Sequence, residues 1–290
     1  MKNLEIERFV STPEGAYDVI ALLRGGAATY LPSERVRAYV SALAKTYGVY
    51  QTYSSLPKSL PLIRARKWQN KEWPRVKADL AYPKEPPLYG RCNRPKCPML
   101  YCSLYEDAAL AEIDAQAGDL FAISTFLLPT NFHFAPIGEL DYFRRTGNTY
   151  IGEMTAEVSK CFEDAKGDKD WEISALLDAF LAEEFAKDAT SQSDYKVTSA
   201  FSDILLNDLN PNTPLDGIVY PSVKFRNGLN FAICPQAYES KLKLIEAETH
   251  IVEIRKVVGF GLFNLRGVVT LKAIAPSGEL LWSDPAPTVA

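Results

Sequence analysis

Histidine is scarce in this 290-residue sequence, which has only His133 and His250, and no Gly-x-Ser-x-Gly elbow is present, so a serine nucleophile activated by an imidazole has no support. There is no apolar run of about 18 residues that could cross a bilayer, and the opening MKNLEIERFV lacks the apolar stretch of a secretory signal. The expected setting is therefore cytoplasmic, without a membrane partner. Positive charge is not in excess: 32 Lys and Arg stand against 36 Asp and Glu, a formal charge of −4. That balance gives no general attraction for nucleic acid, so no nucleic-acid partner is expected. Low-complexity tracts are also missing, and the apolar and charged fractions are ordinary for a folded protein. Of five cysteines, Cys92, Cys97 and Cys102 cluster in GRCNRPKCPMLYC. Zinc sites pair such cysteines with a second pair or with histidines, and both histidines are remote in sequence. Small half-buried thiols are the better reading, and no metal is expected.

The chain has room for one large domain or for a core with attachments. Residues 1–58 read as a helical N-terminal extension. Its clearest element is a helix over Ser33–Tyr47 with Val36, Tyr39, Val40 and Leu43 on one stripe, a capping Ser33 and a terminating Gly48. A proline-marked stretch then leads into a first strand in PLIRAR. Residues 68–98 lack a sustained period and read as a long loop of the kind that carries sites. PMLYCSLY reads as a strand. Ser103 with Glu106 forms a capping-box signature for a helix predicted to run to Gly118. Helical periods recur at 171–188 and 194–206. DGIVYPS and GLNFAIC read as strands around a turn-like FRNG, and 248–283 alternates in strand fashion around Pro-Ser-Gly. The order is mixed, so the fold class is α+β. The expected division is 1–58, a central domain over 59–245 with an insertion at 130–195, and a C-terminal β extension over 246–290 packed on the core.

Four separated pieces carry the chemistry: LIRAR (62–66), YGRCN (89–93), LYCSLYEDAALAEI (100–113) and DGIVYPSVKFRNGLN (216–230). Taken together they resemble the RES domain, a family named for an arginine, a glutamate and a serine. Arg64 matches its first arginine, and Gly90, Arg91 and Asn93 match its glycine-arginine segment. Tyr101, Ser103, Leu110 and Glu112 match its strand and helix, and Ser222 and Asn230 its last piece. The resemblance covers roughly residues 60–245. Arg94-Pro95-Lys96 departs from the small or glycine-rich turn that the family usually has after the asparagine.

The resemblance implies an ADP-ribosyltransferase-like mixed β core. It also implies an enzyme that breaks the nicotinamide–ribose bond of NAD, by hydrolysis or phosphorolysis, as the toxin of a toxin–antitoxin pair. NAD would be substrate rather than cofactor, and an antitoxin protein the partner. Transfer of ADP-ribose to a macromolecule and a non-enzymatic binding module are the alternatives. The chemistry suits a carboxylate, because cleavage builds an oxocarbenium-like ribose cation. Glu112 would stabilise that cation, beneath open space left by Ala108, Ala109 and Ala115; its alternative is a solvated helix-face glutamate. Arg64 would clamp the pyrophosphate with its planar fork, aided by Arg91 and Asn93, and would face Glu112 across a shared cleft. An ion pair with a core carboxylate, or Arg66 as the inward residue, stays open. Tyr101 would stack on nicotinamide or sit in the core. Ser103 would be a further ligand contact, Asn230 would bind ligand or simply hold the turn, and Ser222 would orient a phosphate, the amide or a water.

Overall fold

The computed structural model describes residues 3–47, 60–70, 72–150, 155–165, 167–209 and 214–285. Among them the strands, in chain order, are β1 (Pro61–Lys67), β2 (Leu100–Ser103), β3 (Leu120–Leu127), β4 (Phe134–Pro136), β5 (Gly217–Pro221), β6 (Leu229–Ile233), β7 (Lys243–Gly259), β8 (Leu262–Ile274) and β9 (Leu280–Trp282). Helices and a mixture of parallel and antiparallel strands make the fold α+β. The chain groups into two compact units, each discontinuous in sequence. The first holds Met1–Pro57, Lys84–Met99 and Asn131–Pro221, and the second holds Lys58–Pro83, Leu100–Thr130 and Ser222–Ala290. This grouping changes unit at Pro57 but not at 245, which lies inside the unbroken β7.

The first unit is largely helical. The helix Ser33–Tyr47 forms as its sequence predicts, and its stripe of Val36, Tyr39, Val40 and Leu43 is buried against the helices Lys169–Ala186 and Lys196–Asn207. The predicted terminator Gly48 lies outside the described residues. Within this unit β4 and β5 pair in parallel. The buried Asp178 accepts from the backbone N–H groups of Gly138 and Asp141, both at 2.9 Å, at the start of the helix Glu139–Thr146. Gly138 is required there, since it takes φ 79° and a Cβ would lie 2.7 Å from Ala182 Cβ.

The second unit is an antiparallel sheet in the order β6-β2-β1-β3-β7-β8-β9. The helix Glu106–Glu112 covers one face, where Ala109, Leu110 and Ala115 pack with Ala65, Phe121, Ile123, Val252 and Ile254. Two expectations are corrected here. Ser103 does not cap this helix: Tyr105 occupies the N-cap, while Ser103 is the last residue of β2 and is paired with Asn230 of β6. The helix ends at Glu112 rather than Gly118, because the chain must reverse to begin β3. Asp114 turns it at φ 49°, and the Gly118 N–H, 2.8 Å from the Ile254 carbonyl, ties it to β7.

Candidate active site

Glu112 ends its helix facing the loop between β5 and β6. Its Oε1 accepts three hydrogen bonds, from Ser222 Oγ at 2.5 Å, Asn230 Nδ2 at 2.7 Å and the Val223 N–H at 3.1 Å. Behind Asn230, the buried Ser103 Oγ donates to Asn230 Oδ1 at 2.6 Å, which orients the amide so that its NH2 meets the carboxylate. Ser222 Oγ also accepts from the Phe225 N–H at 3.0 Å, so its hydroxyl hydrogen points at Glu112. Four residues that sequence alone could only group by pattern, Ser103, Glu112, Ser222 and Asn230, thus form one continuous chain of hydrogen bonds. Oε2 takes no bond from the described residues. An acceptor-only carboxylate fixed through one oxygen leaves the other available to a ligand.

The small residues near Glu112 do not leave a space for ligand, contrary to the sequence reading. Ala108, Ala109 and Ala115 are buried, the last two in the core under the helix, because small side chains let helix and sheet approach closely.

Arg64 is not brought to Glu112. Ile63 pairs with Ser103, and Ser103 with Asn230, so these three share the Glu112 face of the sheet, as does Ala65 beneath the helix. Alternation then sends Arg64 to the opposite face. Its guanidinium lies by Cys102, Arg66, Tyr238 and Tyr101, and Nη1 donates to the Tyr101 carbonyl at 3.0 Å. Nε is enclosed with no partner, and burial holds the guanidinium below its ordinary pKa, opposed by the nearby Cys102. The expected cleft shared by Arg64 and Glu112 is therefore replaced by two separate environments. Arg66 lies on the same face as Arg64, two positions on, and is spent on the carbonyls of Asp79 and Ala81. Tyr101 is half-buried in β2 opposite Ala232, and its carbonyl serves Arg64.

Arg91 and Asn93 belong to the first unit and are engaged there. Arg91 Nη2 donates to the Lys187 carbonyl at 2.9 Å and Nη1 to the Glu184 carbonyl at 3.4 Å, closing the C-terminal end of the helix Lys169–Ala186. Asn93 Nδ2 donates to the carbonyls of Leu88 at 3.3 Å and Arg94 at 3.1 Å, which holds the turn. In that turn Lys96 adopts φ 66°, a left-handed conformation that a glycine would take without strain.

Two contributors were not legible beforehand. The Val223 amide carries no sequence signal, since every residue but proline has one. Phe225 could have been suspected only from FRNG as a closed turn. Among the described residues no group of three or more His, Cys, Asp or Glu could hold a metal, and no helix is long and apolar enough to cross a membrane.

Comparison with known proteins yields no match among curated proteins or solved structures. The family model for the RES domain matches residues 61–251, from the first residue of β1 into β7. That span is well over half of the chain and contains Arg64, Glu112, Ser222 and Asn230; the chain belongs to the RES domain family.

Proposed function

We propose that this protein consumes NAD by cleaving the bond between nicotinamide and ribose, with Glu112 as the catalytic carboxylate. Family membership supports an NAD-related, toxin-like role. The observation that carries the finer reading is the fixing of Glu112 through Oε1 by Ser222, Asn230 and Val223. As the leaving nicotinamide departs, positive charge grows on the ribose ring. A carboxylate held beforehand in one orientation stabilises that charge without reorganising during the reaction. Oε2 is the oxygen that meets the ribose, and the Ser222 hydroxyl, tied to Oε1, orients the carboxylate rather than attacking.

In this reading Arg64 is a support rather than a phosphate clamp. It holds the Tyr101 carbonyl from the far face of the sheet, and so sets the strand that carries Tyr101 and Ser103. The acceptor is water or phosphate, and an antitoxin protein is the proposed partner of the toxin role.

The test is incubation of the purified full chain with NAD, with and without inorganic phosphate, followed by mass spectrometry. Free nicotinamide with ADP-ribose marks hydrolysis, and nicotinamide with phosphorylated ADP-ribose marks phosphorolysis. ADP-ribose on protein or nucleic acid marks transfer instead. Glu112→Gln keeps the fold and abolishes nicotinamide release. If wild-type protein releases no nicotinamide in either buffer, the reading is wrong.

A further inference from the structure

The loop Ser222–Gly228, which presents both Ser222 and the Val223 amide to Glu112, is closed around Phe225. The Phe225 amide donates to Ser222 Oγ at 3.0 Å, its carbonyl accepts from the Gly228 N–H at 3.0 Å, and the Ser222 N–H donates to the Gly228 carbonyl at 2.8 Å. The Phe225 backbone thus shares the Ser222 hydroxyl with Glu112.

The ring of Phe225 is gripped from three directions. Tyr105, the N-cap of the Glu112 helix, lies against it with centroids 5.9 Å apart and planes tilted by 35°. A Cβ on Gly228 would lie 3.0 Å from Phe225 Cδ1. A Cβ on Gly261, at the tip of the β7–β8 hairpin, would lie 2.8 Å from Phe225 Cδ2 and 3.3 Å from Cε2. The tip takes three successive positive φ values, at Gly259 (98°), Phe260 (56°) and Gly261 (75°), and Phe260 is 99% exposed. Such a turn is costly for a non-glycine residue unless its surroundings impose it. The tip lies beyond the family-matched segment, which ends at residue 251.

We propose that the β7–β8 hairpin tip braces Phe225, and that Phe225 is a positioning residue holding Ser222 and the Val223 amide on the Glu112 carboxylate. The inference rests on Glu112 being catalytic, and it adds a second element, outside the family segment, on which that geometry depends. The path of contact runs from Gly261 to the Phe225 ring, from the Phe225 amide to Ser222 Oγ, and from there to Glu112 Oε1.

Two glycines of the same hairpin separate this role from general strain. Gly259→Ala and Gly261→Ala both place an alanine at positive φ, but a Cβ at 259 meets nothing within 4 Å, whereas one at 261 displaces the ring. The expected result is a fall in kcat of about tenfold for Gly261→Ala with KM for NAD within twofold, since small displacements of reacting groups act on the chemical step. Gly259→Ala keeps wild-type kinetics. Amide hydrogen exchange at Val223 and Phe225 is the second measurement: it quickens by about tenfold in Gly261→Ala alone, by opening of the loop. Should Gly261→Ala not fold, Phe225→Leu withdraws the ring from both Tyr105 and Gly261 and reads the same split between kcat and KM.

The brace is overturned if the two glycine variants exchange alike at Val223 and Phe225. It is also overturned if exchange quickens while kcat holds in an enzyme that cleaves NAD. Absence of NAD cleavage in the wild type sinks the proposed reaction instead, and the exchange comparison then still decides whether the tip holds the loop.

Discussion

Glu112 and Ser222 stand 110 residues apart in the chain and are joined by a 2.5 Å bond from the Ser222 hydroxyl to Glu112 Oε1. Because Ser222 Oγ also accepts from Phe225, Ser222→Ala removes a donor to the carboxylate and the acceptor of a loop amide. Each half-buried bond contributes on the order of 1 kcal/mol, so unfolding should become easier by about 1–3 kcal/mol. The catalytic loss should exceed the stability loss, with kcat down by about tenfold or more. Denaturant unfolding and steady-state kinetics on the same preparation check this. Loss of stability with unchanged kcat would show that the hydroxyl serves only the loop.

Asn230→Asp is a sharper probe of the same cluster, since it sets a second carboxylate at the 2.7 Å position now held by an NH2 donor. Two carboxylates at that separation share a proton. The pair then stays partly protonated to higher pH, and the acid limb of the kcat profile moves upward. Ser103, which donates to the other side of Asn230, still finds an acceptor in the aspartate, so the fold should persist. A pH–rate profile identical to wild type would argue that the cluster is not at the reacting centre.

Arg64 gives opposite outcomes under direct and indirect roles. Its Nη1 serves the Tyr101 carbonyl, and truncating the side chain removes that bond. Arg64→Ala should therefore cost about 1–3 kcal/mol of stability, while Arg64→Lys, which can still donate, costs less. KM for NAD should stay within about twofold in Arg64→Lys, because the bidentate fork that a pyrophosphate would need is not used on this face. A rise in KM of tenfold or more with stability intact would restore a direct phosphate contact.

Beside Arg64, burial pushes the Cys102 thiol up to about 12, against the pull of the guanidinium. The thiolate is the reactive form, so at pH 8 Cys102 should resist alkylation, while the more accessible Cys97 and Cys234 react first. Timed iodoacetamide labelling with peptide mass spectrometry reads the order. Early labelling of Cys102 would mean that this face opens in solution.

The parts legible in sequence are those where local chemistry and tertiary role agree. The stripe of the helix Ser33–Tyr47 is one, since a single apolar face has a single place to go. Strand β3 shows the limit: LFAISTFL is buried on both faces and has no alternation to mark it. Ser103 is a case where one local pattern admits two outcomes. Ser-x-x-Glu is the same signature whether the hydroxyl turns back on the helix or reaches Asn230 across the strand pair, and only the pairing of β2 with β6 decides. Arg64 depended likewise on register. Its strand was readable, but its face follows from Ile63 pairing with Ser103, which no residue of LIRAR reveals. Glu112, Ser222 and Asn230 were legible only as a family pattern, because 110 or more residues separate the carboxylate from its donors.

In the first unit, Glu139 is 3% exposed and its Oε1 accepts from the Tyr150 N–H at 2.8 Å. Burial raises its pKa from 4.5 to about 8; the Tyr150 bond opposes the shift and Asp178 adds to it. Between those two values the folded protein holds a proton that the unfolded chain has released. Folding is thus favoured by acid, and the contribution, complete below 4.5, is lost as pH rises through about 8. In that window stability should fall with pH by up to about 1.4 kcal/mol per unit. Glu139→Gln keeps an oxygen acceptor for Tyr150 and cannot ionise, so its melting temperature should lie closer to wild type near pH 5 and above it near pH 8. Thermal unfolding across that range decides the matter: parallel curves for the two proteins would mean that Glu139 is ionised in the fold and that its burial is relieved by some motion of the Glu139–Thr146 helix.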